Sequence, residues 1–169
     1  MNKAWPKWFF VMSLIFILAV SALADGTVRQ EPLNLQNTAS LKPVPPDEQY
    51  IFRQVNAERR KAGLRPLILD RRLVKTARAK SGDMITRRYF SHNSPALGTP
   101  FQQIRKAGIP FRTAGENIAG NRSAVSAMRN WMKSPGHRRN ILNPRYKRIG
   151  IGVIRGGPFE KMMTQHFVG

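Results

Sequence analysis

Apolar residues recur at helical spacing in four segments of this chain, and typical capping residues flank them. The segments predicted as helices cover residues 48–62, 71–87, 99–107 and 123–132. Gly63 and Gly108 follow two of them, where glycine commonly ends a helix. A fifth, short helix is predicted over 135–142, because Ser134 is a good N-cap residue and Pro135 suits the first helical position.

The pattern typical of strands comes late in the chain. Residues 149–153 alternate branched apolar residues with glycine, which predicts one buried face and a second face that another backbone can approach closely. The glycines and proline at 156–158 predict a turn, and residues 162–168 are predicted as the returning strand. Short extended pieces at 66–69 and 111–114 would complete a small sheet. Periodicity alone therefore predicts an α+β fold.

The N-terminal segment has the features of a signal peptide, assigned here to residues 1–24. Lys3 and Lys7 precede an apolar run over 9–20, and small residues at the end of the segment favour cleavage after Ala24. The run is shorter than the roughly 20 residues that span a bilayer, so an uncleaved anchor is the less favoured alternative. We therefore expect a secreted or periplasmic protein without stable membrane insertion after cleavage.

Residues 25–47 are rich in proline and are predicted to form a linker, with the folded domain over 48–169 and Asp47 as its N-cap. From residue 48 onward the chain holds 25 Lys or Arg and 6 Asp or Glu, a net charge of +19. Such a domain attracts anionic envelope polymers and lipids in a salt-dependent way, or the charge simply serves solubility. Nucleic acid fits the same electrostatics but is disfavoured, because the basic residues are scattered. The chain has no cysteine, so its stability comes from packing without disulfides.

Candidate chemistry is concentrated in three short segments, at 89–92, 115–119 and 134–142. They contain His92, Glu116 in a Gly-Glu-Asn sequence predicted to turn, and His137. Two imidazoles and a carboxylate suit zinc, and the first turn of a helix favours the neutral histidine that a metal requires. The spacings of 24 and 21 residues carry no geometric information, however. A buried hydrogen-bonded network that fixes loops on the sheet is the alternative.

In their order and their residues, the three segments resemble the SCP-like (CAP) superfamily of cysteine-rich secretory proteins, antigen 5 and plant pathogenesis-related proteins. The similarity extends from about Tyr50 to Phe167 and is greatest to the short bacterial branch. It implies a three-layer α-β-α sandwich with a small, mostly antiparallel sheet, and a central cleft with two His and two acidic residues where some members bind zinc or magnesium. His92, Glu116 and His137 match three of those four positions. No Asp or Glu occurs between Glu116 and His137, so the resemblance implies a weak, optional or absent metal.

Six neighbouring residues are predicted to support the cleft: Ser91, Asn117, Ser134, Arg138, Asn140 and Gln165. Asn117 and Asn140 are interpreted as amides that lock loops. Ser134 is interpreted as a helix cap. Arg138 could neutralise a bound anion or pair with Glu116.

Two further residues are assigned away from the site. Trp131 is predicted to lie in the core, and His166, which alternates with Phe167 on the last strand, is predicted to be exposed. Nucleophilic catalysis is disfavoured because there is no cysteine, and adjacency of Ser91 and His92 in sequence does not create the required hydrogen bond.

These observations favour an exported binding module with no reaction of its own, with affinity for anionic envelope or host components. A metal-assisted hydrolase, in which Glu116 or a histidine moves the proton, is the first alternative. A basic extracellular nucleic-acid binder is the second. The ligand and the oligomeric state are left open.

Overall fold

The computed structural model describes residues 43–169. The predicted signal peptide and most of the predicted linker lie outside the described residues. Within 43–169, no helix combines the length and the apolar character that a membrane crossing requires.

Five helices and four strands make up this part of the chain, and the fold class is α+β as predicted. The helices are α1 (Pro46–Lys61), α2 (Arg71–Thr86), α3 (Pro100–Lys106), α4 (Ala124–Lys133) and α5 (Pro135–Ile141). The strands are β1 (Ile68–Leu69), β2 (Ala114–Gly120), β3 (Arg148–Arg155) and β4 (Lys161–Val168). The sheet order is β1-β3-β4-β2, with β1 parallel to β3 and the other pairs antiparallel. This confirms a small, mostly antiparallel sheet.

Helix α2 lies directly on one face of the sheet because β3 has glycines there. A Cβ atom added to Gly150 would overlap the carbonyl carbon of Leu73, and one added to Gly152 would overlap the backbone nitrogen of Arg78. The predicted close backbone approach is therefore confirmed. No residue with a side chain could replace either glycine without moving the helix.

Helices α1, α4 and α5 cover the opposite face, which completes three layers. Ile51 and Val55 of α1 and Trp131 of α4 join Ile151 and Phe167 of the sheet in the largest buried apolar cluster. Trp131 is 1% exposed, and its Nε1 donates a hydrogen bond to the carbonyl oxygen of Ile118 at 3.1 Å. Its predicted place in the core is confirmed.

Helix starts differ from expectation at two positions. Asp47 is not an N-cap: Pro45 occupies that place and α1 begins at Pro46, because proline is well suited to the first helical turn. Ser134 stands at the predicted start of α5, but its side chain makes no capping hydrogen bond. Asp70, in contrast, caps α2 by accepting hydrogen bonds from two backbone N–H groups.

Candidate functional site

Glu116 lies on an edge strand, whereas the sequence predicted a turn. Strand β2 pairs with β4 along its whole length and has no partner on its other side within residues 43–169. The extended piece predicted at 111–114 enters this strand only at Ala114. Because side chains alternate along a strand, Glu116 and Ile118 face α2 while Asn117 faces the opposite layer. The continuous pairing with β4 outweighs the turn tendency of Gly-Glu-Asn.

The carboxylate of Glu116 joins two histidines. Its Oε1 is 2.6 Å from Nδ1 of His92, and its Oε2 is 2.9 Å from Nε2 of His166. The side chain of Glu116 is 2% exposed and that of His166 is fully buried, whereas the imidazole of His92 is 54% exposed. A hydrogen-bonded chain thus leads from the interior to the surface.

His166 is the principal residue of this chain whose predicted place was wrong. It was predicted to be exposed because it alternates with the buried Phe167, but both are completely buried. The alternation is real, yet helices cover both faces of the sheet, so neither face meets solvent. The other ring nitrogen of His166, Nδ1, lies 2.8 Å from the hydroxyl of Thr76 on α2.

The ionisation of Glu116 sets the direction of these hydrogen bonds. Burial alone raises the pKa of Glu116, but hydrogen bonds from His166 and His92, together with nearby positive charge such as that of Lys80, outweigh it, so the pKa of this carboxyl is lowered overall. A carboxylate has no hydrogen to donate, so Nε2 of His166 and Nδ1 of His92 are the donors. His92 therefore directs its Nε2 away from Glu116, as the ring nitrogen available to a ligand.

Lys80 is a second residue that the sequence reasoning missed, and it holds the loop that carries His92. Its Nζ donates hydrogen bonds to the carbonyl oxygen of Ser91 at 2.6 Å and to the hydroxyl of Tyr89 at 3.0 Å. Tyr89 and Ser94 in turn donate to the carboxylate of Asp83. Burial lowers the pKa of Lys80, and nearby carboxylates oppose that shift. The sequence signal for the burial of Lys80 is its helical spacing with the buried apolar residues of α2.

A ladder of amides fixes α5 against β2. Nδ2 of Asn140 donates to Oδ1 of Asn117 at 2.8 Å, and Nδ2 of Asn117 donates to Oε1 of Gln165 at 2.9 Å. Asn117 also donates to the carbonyl oxygen of His137. These contacts place the first turn of α5, and hence His137, beside the edge strand.

His92 and His137 line the same cleft, which we call the β2 cleft. It has a volume of about 480 Å³ and runs along the end of β2 between the 90–92 loop and the junction of α4 with α5. Ser91 and Ser134 also line it. Burial lowers the pKa of His137, and the nearby His92 lowers it further, so His137 is neutral over more of the pH range than a free imidazole.

The structure does not bring all the predicted site residues into one contact. Glu116 bonds to His92 and His166 and lies behind the cleft wall, with no hydrogen bond to His137 among the described residues. Arg138 is exposed, and no ion pair with Glu116 forms within 43–169.

The β2 cleft offers few side chains that could bind a divalent ion. Among residues 43–169, no group of three or more His, Asp or Glu side chains is arranged to hold a metal ion. Both oxygens of Glu116 already accept hydrogen bonds, which leaves Nε2 of His92 and the ring of His137 as candidate ligands. Zinc sites usually use three or four protein ligands. The residues present therefore do not fit a closed zinc site.

Comparison with known proteins gives one family. The model of the cysteine-rich secretory protein family (CAP) matches residues 52–168. The uncharacterized protein YkwD of Bacillus subtilis is 40% identical over 154 residues, which cover 88% of this chain and 59% of YkwD. The uncharacterized membrane protein YlbC of the same organism is 36% identical over 72% of this chain and 34% of its own length. The chain thus spans less than two thirds of either relative.

Solved structures agree with this. An extracellular SCP-domain protein from Bacillus anthracis superposes with a TM-score of 0.68 and 34% identity, over 75% of this chain and 44% of that protein. An outer surface protein from Borrelia burgdorferi gives a TM-score of 0.67 at 22% identity, over 72% of this chain and 91% of its own, and shows the shared fold alone. The present chain differs from the family's description in containing no cysteine.

Proposed function

The chain belongs to the cysteine-rich secretory protein (CAP) family, and from that premise we propose that it is an exported binding module. Its β2 cleft binds an anionic component of a cell envelope or host surface. The observation that carries the proposal is that the exposed imidazole of His92 is held by the buried carboxylate of Glu116 and faces a cleft shared with His137.

The chemistry of His92 suits an anion. Its Nδ1 donates a hydrogen bond to the carboxylate of Glu116, so Nε2 is the ring nitrogen left for a ligand in the cleft. A protonated His92 then donates from Nε2 to a phosphate or carboxylate oxygen of a ligand. The excess of 25 basic over 6 acidic residues from position 48 onward increases the local concentration of such ligands.

The signal-peptide features of residues 1–24 support export, as does the extracellular nature of the related Bacillus anthracis protein. We expect the mature protein to be secreted or periplasmic.

Metal-assisted hydrolysis is the weaker candidate. His92 and His137 would be the ligands of a divalent ion, Glu116 would orient His92, and the ion would act as a Lewis acid. Two imidazoles make such binding weak and optional.

The experiment compares binding of a poly(glycerol phosphate) oligomer to the native protein and to His92→Ala, by calorimetry at low and moderate salt. We expect His92→Ala to weaken binding about tenfold, since one charge-assisted hydrogen bond contributes about 1.4 kcal/mol. Lys75→Ala is the matched control, because it removes an exposed charge on α2 outside the cleft. Its effect should be below about twofold.

Equal losses in the two variants would contradict the proposal, because they would reduce the interaction to net charge. A double-stranded DNA of equal charge serves as a second ligand. If DNA binds as tightly as the oligomer and His92→Ala weakens the binding of neither, the nucleic-acid alternative replaces the proposal of a binding cleft.

A further inference from the structure

Two exposed phenylalanines meet at the mouth of the β2 cleft. Phe90 is 50% exposed and Phe159 is 44% exposed, and their ring centroids lie 5.9 Å apart in an edge-to-face arrangement. Phe90 is part of the cleft lining. Exposed apolar side chains that adjoin one another beside a cleft mark a binding surface more often than isolated ones do.

The position of Phe159 depends on glycine. A Cβ atom on Gly120 would overlap Cδ2 of Phe159, so the ring lies directly on the last residue of β2. The next residue, Glu160, has a φ of 68°, in the left-handed region that residues with a side chain rarely adopt. The exposed side chains of Arg122 and Glu160 form a surface ion pair at 3.0 Å between this turn and the segment after β2. The contacts with Gly120 and Phe90 place the ring of Phe159 beside the cleft.

Polar groups that could orient a ligand lie next to the rings. The side-chain oxygen of Asn121 accepts hydrogen bonds from the backbone nitrogen of Arg122 and from the hydroxyl of Ser126. The NH2 group of Asn121 makes no hydrogen bond within the described residues, and both Asn121 and the exposed Asn130 line the cleft. An aromatic face beside amide donors is suited to a molecule with a C–H face and polar edges. Sugar rings have this form, and their positively polarised C–H groups are attracted to the negative face of an aromatic ring.

We propose that Phe90 and Phe159 form an aromatic platform on which a sugar ring of a polysaccharide stacks, while the amides and imidazoles of the β2 cleft bind its polar groups. This inference rests on the proposed function and names the class of ligand for the same site. A membrane surface is the competing occupant for exposed aromatic rings. The polysaccharide is favoured because the rings border a cleft lined with amide, hydroxyl and imidazole groups.

The test uses uncharged sugars, so that stacking is measured apart from net charge. Chitotetraose and cellotetraose are titrated into the native protein, Phe90→Ala and Phe159→Ala, with binding followed by NMR. We expect binding of at least one sugar by the native protein and a loss of about fivefold or more in each variant. Phe101→Ala is the matched control: Phe101 is 47% exposed and lies against Phe111, outside the cleft. It should bind as the native protein does.

A second variant separates stacking from apolar contact. Phe159→Leu keeps an apolar side chain without a ring, so we expect it to lose sugar binding nearly as far as Phe159→Ala. The proposal is overturned if the native protein binds neither sugar, or if Phe101→Ala weakens binding as much as Phe159→Ala. It is also overturned if substitution of the two rings weakens binding to phosphatidylglycerol vesicles but not binding to the sugars. If binding to poly(glycerol phosphate) still depends on His92 in any of these cases, the proposed function stands without the sugar-binding rings. If that dependence is also absent, both proposals fail.

Discussion

The two faces of the central sheet bury different kinds of side chain. The face under α2 encloses polar and charged groups, each with a hydrogen-bond partner: Thr76, Lys80, Ser81, Glu116, Thr164 and His166. The opposite face encloses mostly apolar ones: Ile149, Ile151, Met163, Phe167 and Trp131. The α2 face thus combines a polar layer with two smaller apolar clusters, whereas the opposite face holds the largest apolar cluster beside the amides of Asn117 and Gln165.

The polar layer is where the candidate site begins. Ser81 shows how the layer is satisfied: its hydroxyl lies 2.9 Å from that of Thr164 and 3.0 Å from the carbonyl oxygen of Gly152. Hydrogen bonds of this kind contribute little net stability, but leaving one partner unsatisfied is expensive. The face under α1, α4 and α5 therefore supplies the larger share of apolar burial, whereas hydrogen bonds from the α2 face determine where His92 is held.

The largest expected effect tests the apolar face. Trp131→Ala removes the largest buried side chain and leaves a cavity, so we expect a loss of about 4 kcal/mol in the free energy of unfolding. Chemical denaturation at neutral pH measures it. Val125→Ala on the same helix is the control, because Val125 is 47% exposed and its loss should be below about 0.5 kcal/mol. A small effect of Trp131→Ala would show that the apolar face is not the main source of stability.

The next effect tests the polar face. Glu116→Gln removes the charge that holds His92 and His166 and leaves a buried imidazole without its anion. Leaving a buried donor without its charged acceptor destabilises the fold by about 2 kcal/mol. The same denaturation experiment measures it, and Glu58→Gln is the control, because Glu58 forms a surface ion pair with Lys61. Equal effects of the two substitutions would contradict a buried network.

A smaller effect distinguishes the faces by pH. The lowered pKa of Glu116 stabilises the fold above its ordinary value of 4.5, and this contribution is lost as the pH falls through the folded-state pKa. The lowered pKa of His137 adds a loss of stability that begins as the pH falls below 6.5, because the unfolded chain then binds the proton more readily than the folded chain does.

Melting temperatures between about pH 7 and about pH 3 measure this dependence. We expect Glu116→Gln to flatten the acidic part of the profile. Ile151→Val, a substitution on the apolar face, should lower the whole profile without changing its shape. If the profile of Glu116→Gln parallels the native one, the ionisation of Glu116 does not cause the loss of stability at acidic pH.

The sequence predicted the architecture better than the network. Helical spacing and the glycines of residues 149–153 were sufficient for the α+β fold and the close packing of α2, because both signals are local. Alternation along β4 correctly separated His166 from Phe167, but it could not show that helices cover both faces. The contact between Glu116 and His166 joins residues 50 positions apart, and no spacing rule encodes that.

Lys80 illustrates the same limit from the other direction. Its position on the buried stripe of α2 is visible in the sequence, since it lies between Ala77 and Met84 at helical spacing. A lysine there is expected to be a surface residue unless the partner for its charge is known. The partners are the Ser91 carbonyl and the Tyr89 hydroxyl, in a loop whose path depends on the folded chain.

Heteronuclear NMR of the imidazole nitrogens tests whether Glu116 links the buried His166 to the exposed His92. We expect a slowly exchanging Nε2–H signal for His166, and Glu116→Gln should shift the Nδ1 resonance of His92 and the Nε2 resonance of His166 together. An Nε2–H proton of His166 that exchanges as fast as that of a free imidazole, or a His92 resonance that is unmoved by Glu116→Gln, would contradict this link.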